Sequence, residues 1–232
     1  MQYERVMIWA AHPDDEITMA GTICAMVEAG TEVTLVQFTN GNAGFCRPEW
    51  RNEIVKLRKQ EAEACDRILG IPPRIMLGRD DQGLVNDRAT IQECIGLIRE
   101  HRPQALFSHG PVDKNRDHIA VASLLEEAVW QAGENVLATL GRPWATPHVY
   151  LYKGYGLMGP KVAMDVKTHA KKKIDAWASQ TTQVEMLPSI QKRIALGRRQ
   201  LEEHPDEDLF GIYTETFVIH KNTTLADFPP TT

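Results

Sequence analysis

The sequence predicts an α/β fold, a Rossmann-like, doubly wound and mostly parallel sheet with helices on both faces. Strand patterns and helix patterns alternate four times within residues 6–131, which is the order expected of a parallel sheet. The strand patterns are short apolar runs that stop at polar loops, as strands buried on both faces do. The 232 residues suffice to bury one such sheet, so we expect a single domain over residues 1–228 and a short tail at 229–232.

Each element in the first half of the chain rests on a local pattern. Residues 6–10 form a continuous apolar run, and residues 16–29 carry apolar side chains at helical spacing until Gly30, a natural helix terminator. Residues 31–38 alternate and are rich in β-branched side chains, which is typical of a strand. The same criteria predict a helix at 49–69, a strand at 74–77, a helix at 89–101, a strand at 105–108 and a helix at about 119–131.

The second half of the chain is less regular. Its patterns predict strands at 149–155, 162–166 and 211–220 and helices at 170–178 and 189–203. Sheets of the doubly wound type commonly place the first strand beside the fourth. We therefore expect the loops that follow these two strands to be neighbours at one edge of the sheet.

Composition narrows the classes of function. The net charge is -5 with both signs mixed, and no basic block of the kind that grips a phosphate backbone occurs, so we expect no nucleic-acid partner. No window approaches the length of a membrane span, and no signal-peptide core precedes the first strand, so we expect a cytoplasmic protein. The four cysteines lack the spacing of a zinc knuckle.

Two clusters of polar side chains follow the first and fourth predicted strands. The first is the hexapeptide Ala11-His12-Pro13-Asp14-Asp15-Glu16, and the second contains His109, Asp113, Asn115, Asp117 and His118. His12 and Asp15 are close enough across a turn to bind one ion, and His118 would complete a set of two histidines and one carboxylate. Three protein ligands leave a coordination position for water, which is typical of a catalytic zinc site.

We therefore expect one Zn²⁺ per chain. Asp14 would be the base for the water, because its neighbour Asp15 is tied to the metal. Either aspartate alone could instead cap a helix, but that interpretation does not explain the second histidine-rich loop at the matching edge.

The hexapeptide resembles the signature of the LmbE-like, or PIG-L, family of zinc-dependent N-acetylglucosaminyl deacetylases. Further stretches agree with the family in order and spacing: Thr39-Asn40-Gly41, Arg58 to Glu61, Asp81-Gln82-Gly83-Leu84, Asp117-His118, Lys172 through Ser179-Gln180, and Glu215-Thr216-Phe217. The resemblance implies that His12, Asp15 and His118 bind zinc and that Asp14 is the general base.

The resemblance also makes Arg58 and Asp81 candidates for binding sugar hydroxyls. Arg58 could equally be a surface charge on a helix, paired with Glu61 or Glu63. Asp81 could equally be a turn former, since aspartate favours such positions.

The chain departs from the family at Asn115, where many members have a histidine that can stabilise the oxyanion or protonate the leaving amine. An asparagine amide can donate a hydrogen bond but cannot shuttle a proton. His109, in the same loop, could take the acid role, or Asp14 could carry the proton to the leaving nitrogen. As a third alternative, His109 is hydrogen-bonded to a metal ligand and only supports it.

These observations predict a zinc hydrolase that removes an N-acetyl or related acyl group from an amino sugar or its conjugate. The expected partner is a small amino-sugar substrate, and assembly into a homo-oligomer stays open. An oxidoreductase that binds a dinucleotide would need a glycine motif, which is missing after the first strand. Two alternatives remain: a non-heme iron protein with the same ligands, and a metal-dependent sugar-binding module without turnover.

Overall fold

Seven strands form a sheet of order β3-β2-β1-β4-β5-β7-β6 in the computed structural model, which describes residues 3–220. The strands are β1 (Arg5–Ala10), β2 (Glu32–Thr39), β3 (Ile75–Arg79), β4 (Ala105–His109), β5 (His148–Lys153), β6 (Lys161–Asp165) and β7 (Thr214–Ile219). The helices are α1 (Ala20–Glu28), α2 (Ile54–Leu69), α3 (Arg88–His101), α4 (Arg116–Gly133), α5 (Ala170–Ser179), α6 (Thr181–Met186) and α7 (Pro188–Glu203). Short 3₁₀ turns occur at Asp15–Met19, Pro48–Asn52, Ala138–Leu140 and Lys167–His169.

The predicted fold class and the predicted centre of the sheet are confirmed. β1 pairs in parallel with β2 on one side and with β4 on the other, so the chain winds outward twice from the middle. β3 and β5 extend the parallel part, whereas β7 is antiparallel to both β5 and β6. The carboxyl ends of β1 and β4 therefore lie side by side, as the topology requires.

The sheet divides the apolar core into two layers. Alternate residues of β1 point into the two layers. Val6 and Ile8 belong to the layer that contains α1, α2, α5 and α7, and Met7 and Trp9 belong to the layer that contains α3 and α4. All four side chains are buried. This burial on both faces explains why β1 reads as a continuous apolar run instead of an alternating one.

The largest local difference from prediction concerns the start of α4. This helix begins at Arg116, three residues earlier than expected, so that Asp117 and His118 lie in its first turn and not in the preceding loop. The cause is a helix cap, because the side-chain oxygen of Asn115 accepts a hydrogen bond from the backbone N–H of Asp117 at 2.9 Å. A rigid helical turn therefore carries His118.

Smaller differences occur at other boundaries. The predicted helices at 16–29 and 49–69 each begin as a 3₁₀ turn, and the strand predicted at 74–77 spans Ile75–Arg79. α6 was not predicted, since its six residues are too short to show a clear helical period. The tail predicted at 229–232 lies outside the described residues. Within residues 3–220, no helix is long and apolar enough to cross a membrane.

The first turn of α1 is capped by a side chain from β7. The carboxylate of Glu215 accepts hydrogen bonds from the backbone N–H groups of Gly21 at 3.1 Å and Thr22 at 2.8 Å. Lys173 of α5 places its ammonium 3.1 Å from the same carboxylate, and both charged side chains are buried. Two amides that α1 cannot satisfy within itself thus find a partner in a distant strand.

Candidate metal centre and active site

The loops after β1 and β4 bring three potential ligands together. His12 and Asp15 follow β1, and His118 lies in the first turn of α4 after β4. One nitrogen or oxygen from each of these residues lies within 4.8 Å of the others. His12 Nδ1 is 3.2 Å from His118 Nε2, and Asp15 Oδ1 is 3.3 Å from the same nitrogen. The predicted ligand set is therefore assembled at one point.

Each histidine of this group contacts a second carboxylate with its outer nitrogen. His12 Nε2 lies 3.1 Å from Asp117 Oδ2, and His118 Nδ1 lies 3.0 Å from Asp113 Oδ2. Both carboxylates accept a hydrogen bond from a ring N–H, so the inner nitrogens, which face each other and Asp15, are the atoms that would bind a metal ion after losing any proton they carry. Three electron-rich atoms at these distances fit a cation, and carboxylate-bound imidazoles are common around metals. The residues present thus fit the predicted zinc.

The electrostatics of the site favour a positive charge. Burial lowers the pKa of His12, but hydrogen bonds to Asp117 and Asp15 outweigh burial and raise this pKa to about 10. Burial alone would raise the pKa of Asp15, but Lys153, His109 and His118 hold it well below its usual range. Asp15 is therefore an anion in the folded protein, and the carboxylates that raise the pKa of His12 would also attract a metal ion, which would displace the proton from the ring.

Asp15 is held from several sides. Its Oδ2 accepts a hydrogen bond from the backbone N–H of His12 at 2.8 Å and lies 3.2 Å from His109 Nε2. Its Oδ1 contacts the ammonium of Lys153. Lys153 is the last residue of β5 and pairs in register with His109, the last residue of β4. The ends of two parallel strands thus fix one carboxylate.

Asp14 is held by a buried arginine. Arg58 Nη2 donates to Asp14 Oδ2 at 2.9 Å and to the carbonyl oxygen of Pro13 at 2.9 Å, while Nη1 donates to Glu61 Oε2 at 3.0 Å. The side chain of Arg58 is only 2% exposed, so the interpretation of Arg58 as a surface charge is wrong. The ion pair with Glu61 that this interpretation included is nevertheless present. This arginine fixes the carboxylate expected to act as base.

His109 lies behind Asp15, away from the cleft. Its Nε2 is 3.1 Å from the backbone nitrogen of Ala11 and 3.3 Å from Tyr152 Oη, and its ring is fully buried. Burial lowers the pKa of His109 to about 4, although Asp15 opposes this effect. An imidazole that is neutral at pH 7 and out of contact with the cleft is poorly suited to donate a proton. This geometry favours the alternative in which His109 supports Asp15.

Asp81 and Asn115 both stabilise local turns. Asp81 accepts hydrogen bonds from the backbone N–H groups of Gly41 at 2.9 Å and Ala43 at 3.0 Å, which holds the loop after β2. Gly41 has φ of +78°, and a Cβ there would lie 3.0 Å from side-chain atoms of both Pro13 and Arg58, so this position requires glycine. Asn115 uses its side-chain oxygen to cap α4, as described above.

A cleft of about 280 Å³ opens over these residues. It is lined by His12, Asp14, Asp15, Gly41, Ala43, Gly44, Arg58, Asp81, Gln82, Asn115, His118, Lys153, Gln183, Met186 and Leu187. Every predicted site residue except His109 is in this set. A second cleft of about 300 Å³ adjoins it and shares Asn115, His118 and Lys153.

The sequence-based interpretation did not single out several residues of the site. Lys153 was assigned only to a strand. A lysine near the end of the strand pattern that follows the fourth strand could have indicated a charged group at the same edge of the sheet. Asp113 and Asp117 were noted in the second cluster without a role. Gln183 and Leu187 lie in and after α6, whose position could not be inferred from the local pattern.

Comparison with known proteins gives a consistent result. The sequence profile of the PIG-L family, described as GlcNAc-PI de-N-acetylase, matches residues 7–129, more than half of the chain. The chain is 28% identical to the 1D-myo-inositol 2-acetamido-2-deoxy-alpha-D-glucopyranoside deacetylase of Rhodococcus erythropolis, over 63% of this chain. It spans only 60% of the length of that relative. The enzyme of the same name from Nakamurella multipartita is 29% identical, over 90% of this chain and 88% of that protein.

A solved structure shows the same fold. The N,N'-diacetylchitobiose deacetylase of Pyrococcus horikoshii superposes with a TM-score of 0.80 at 22% identity, covering 95% of this chain and 85% of that one. At this identity the likeness concerns the fold alone. The overall fold is thus shared with a known enzyme.

Proposed function

The chain belongs to the PIG-L, or LmbE-like, family, and from this premise we propose that it is a zinc-dependent N-deacetylase. The proposed reaction is hydrolysis of the amide of an N-acetyl, or related N-acyl, amino sugar or conjugate, with water as the second reactant and a free amine and a carboxylate as products. The observation that carries the proposal is the convergence of His12, Asp15 and His118 beside Asp14 in one cleft.

The three ligands would hold a divalent ion on the wall of the cleft. Such an ion would supply a Lewis acid, which lowers the pKa of a water molecule and polarises the amide carbonyl. Zinc suits two imidazoles and one carboxylate, and the hydrogen bonds of the outer ring nitrogens to Asp113 and Asp117 would keep both rings in the required orientation.

Asp14 would accept the proton of the attacking water. It borders the cleft, is next to a metal ligand in sequence and is held in place by Arg58, which satisfies the positional requirement for a general base. Of the imidazoles described, only those of His12 and His118 line this cleft, and both are assigned to the metal. We therefore assign delivery of the proton to the leaving nitrogen to Asp14 as well.

Asn115 and Asp81 would contact the substrate. The amide of Asn115 can donate a hydrogen bond to the carbonyl oxygen as negative charge develops there. Asp81 lines the cleft, and its carboxylate can accept hydrogen bonds from sugar hydroxyls in addition to those from the loop backbone. The role of Arg58 in binding sugar hydroxyls stays a prediction, and its contacts support a further role in positioning Asp14.

The proposed function is tested by measuring the release of free amine. The protein is depleted of metal with a chelator, reloaded with Zn²⁺ or Fe²⁺, and incubated with N-acetylglucosamine, short chito-oligomers and N-acetylglucosaminyl conjugates. We expect amine and acetate in equal amounts with zinc and none after depletion. Binding of these sugars without amine release would favour the sugar-binding module, and oxygen consumption with Fe²⁺ would favour the iron protein.

A further inference from the structure

The turn after β1, residues 12–19, carries two proposed ligands and the proposed base, but one of its side chains is buried outside the cleft. Glu16 is 0% exposed and does not line the cleft. Its Oε1 accepts a hydrogen bond from Nη2 of Arg74 at 2.7 Å. A buried ion pair contributes little net stability, because the cost of desolvation offsets the attraction. The contact between Glu16 and Arg74 therefore calls for a role other than stability.

Arg74 precedes β3 and links three parts of the chain through its guanidinium group. Nε and Nη2 donate to Asp66 Oδ1 of α2 at 3.0 Å and 2.6 Å, and Nη1 donates to Gln37 Oε1 of β2 at 3.1 Å. The side chain of Arg74 is fully buried. A guanidinium group presents its donors in a rigid planar fork. The contacts with α2 and β2 therefore also fix the nitrogen that binds Glu16.

Helix α2 thereby holds the turn at two points. Arg58 of α2 donates to Asp14 Oδ2 at 2.9 Å. Eight residues later, Asp66 holds Arg74, which in turn donates to Glu16. Positions 58 and 66 lie along one side of the helix. One helix thus restrains both the residue before the proposed ligand at position 15 and the residue after it.

We propose that Arg74 is a positioning residue for the metal centre, and that it acts through Glu16 to hold the turn after β1 in the conformation that binds zinc. The proposal rests on the metal centre of the proposed function. Groups that orient metal ligands typically contribute about 10- to 100-fold to metal affinity. Here the oriented part is the backbone of the turn, which carries both His12 and Asp15.

The first test removes Glu16 without leaving a buried charge unpaired. In Glu16→Met, Arg74 keeps its ion pair with Asp66. We expect zinc binding to weaken roughly 10- to 100-fold, measured by competition with a chelator. Glu16→Gln keeps an oxygen that can accept the hydrogen bond and should retain most of the affinity. Unchanged affinity in Glu16→Met, or an equal loss in both variants, overturns the positioning role.

The second test asks whether Arg74 acts through Glu16. Arg74→Lys keeps a positive charge for Asp66 but loses the fork that reaches Glu16. We expect this variant to bind zinc more weakly than the wild type. In combination with Glu16→Met it should cause no further loss, because the two residues act in series. Additive losses would show that Arg74 acts independently of Glu16 and would overturn the proposal.

Arg99→Met is the matched control for general loss of stability. Arg99 is also a buried arginine, 2% exposed, and it donates to five backbone carbonyl groups between residues 131 and 141. These contacts lie in the layer of α3 and α4, on the other side of the sheet from α2. We expect Arg99→Met to unfold at lower urea concentration and to bind zinc like the wild type. A loss of zinc affinity equal to that of Glu16→Met overturns the proposal.

Hydrogen exchange of the metal-free protein separates this inference from the proposed function. If the wild type binds no zinc, the proposed function fails, and the inference is judged on the turn alone. We expect the backbone amides of residues 12–19 to exchange faster in Glu16→Met than in the wild type, and at the wild-type rate in Arg99→Met. Equal exchange of these amides in Glu16→Met and the wild type overturns the role of Glu16 in holding the turn.

Discussion

His12 and His118, the two histidines proposed as metal ligands, show how a single hydrogen bond affects the chemistry of a residue. The outer nitrogen of each ring contacts an aspartate, Asp117 for His12 and Asp113 for His118. A ring whose outer nitrogen carries the proton presents an unprotonated nitrogen on the other side, as a metal requires. The two aspartates therefore orient the rings, so that the inner nitrogen of each histidine faces the proposed metal site.

Replacing His118 by alanine should remove the metal. We expect the zinc content to fall from one ion per chain to nearly none, because only His12 and Asp15 remain and two ligands bind zinc weakly. Elemental analysis after gel filtration measures this, with His204→Ala as a control outside the site. Wild-type zinc content in His118→Ala would exclude the assigned ligand set.

Asp14→Asn should separate turnover from metal binding. The amide keeps the shape of the carboxylate but cannot accept a proton, so we expect turnover to fall roughly 100- to 10,000-fold while the zinc content stays unchanged. Steady-state kinetics with parallel metal analysis checks this. A rate near that of the wild type would show that another group is the base.

His109→Gln tests whether this buried residue acts on the substrate or on the metal ligand. Because His109 contacts Asp15 and is absent from the cleft, we expect roughly 10- to 100-fold weaker zinc binding and a nearly unchanged rate at saturating zinc. The rate is measured against pH with excess zinc, and zinc affinity by competition with a chelator. Loss of the alkaline limb with intact zinc affinity would restore the acid role.

At the residue scale, the sequence predicted the candidate ligands and base because they lie in two short clusters. His12, Asp14 and Asp15 are contiguous, and His118 follows the strand that pairs with β1. Lys153 could not be found in this way, because it contributes through strand pairing and not through a motif. The burial of His109 behind Asp15 was equally invisible, since sequence distance does not reveal which side of a loop a ring occupies.

At the scale of elements, side chains from distant segments complete the helix ends near the site. Glu215 of β7 accepts hydrogen bonds from two backbone amides of α1 and is paired with Lys173 of α5. Three elements thus converge on one buried carboxylate. Local periodicity predicted each of these elements within a few residues, but it could not predict the cap, which links positions 194 residues apart.

Glu215→Gln should destabilise the fold by about 3 kcal/mol, because it leaves the buried ammonium of Lys173 without its counter-ion. Urea denaturation measures the free energy of unfolding. The double variant Glu215→Gln with Lys173→Met should be less destabilised than the single variant, since no buried charge then remains unpaired. If the double variant lost the sum of the two single effects, the ion pair would not be the source of the stability.

At the scale of the whole molecule, the doubly wound topology creates the site. The order β3-β2-β1-β4-β5 places the ends of β1, β4 and β5 together, and these ends supply His12, Asp15, His109 and Lys153. The alternating first half made this arrangement predictable, because parallel sheets with short loops allow few windings. The position of β7 between β5 and β6 was not predictable, since the irregular second half allows several orders. The cytoplasmic location and a homo-oligomer stay predictions.

Removal of the metal should lower the stability of the entire domain. An ion that binds only the folded state at a hundredfold excess over its dissociation constant contributes about 2.7 kcal/mol. For a chain of this size that corresponds to a fall in Tm of about 5–11 °C on chelation. Differential scanning calorimetry checks this, with His118→Ala as the control that should not respond. An equal shift in that variant would place the stabilising ion elsewhere.

The capping of α1 by Glu215 also bears on when the protein becomes competent during its biosynthesis. The turn that carries His12 and Asp15 leads directly into α1, and both leave the ribosome early. The carboxylate that satisfies the first amides of α1 is translated 194 residues after Gly21. Nascent chains that end before β7 therefore lack the carboxylate that caps α1, and this helix is completed only after translation has passed Glu215.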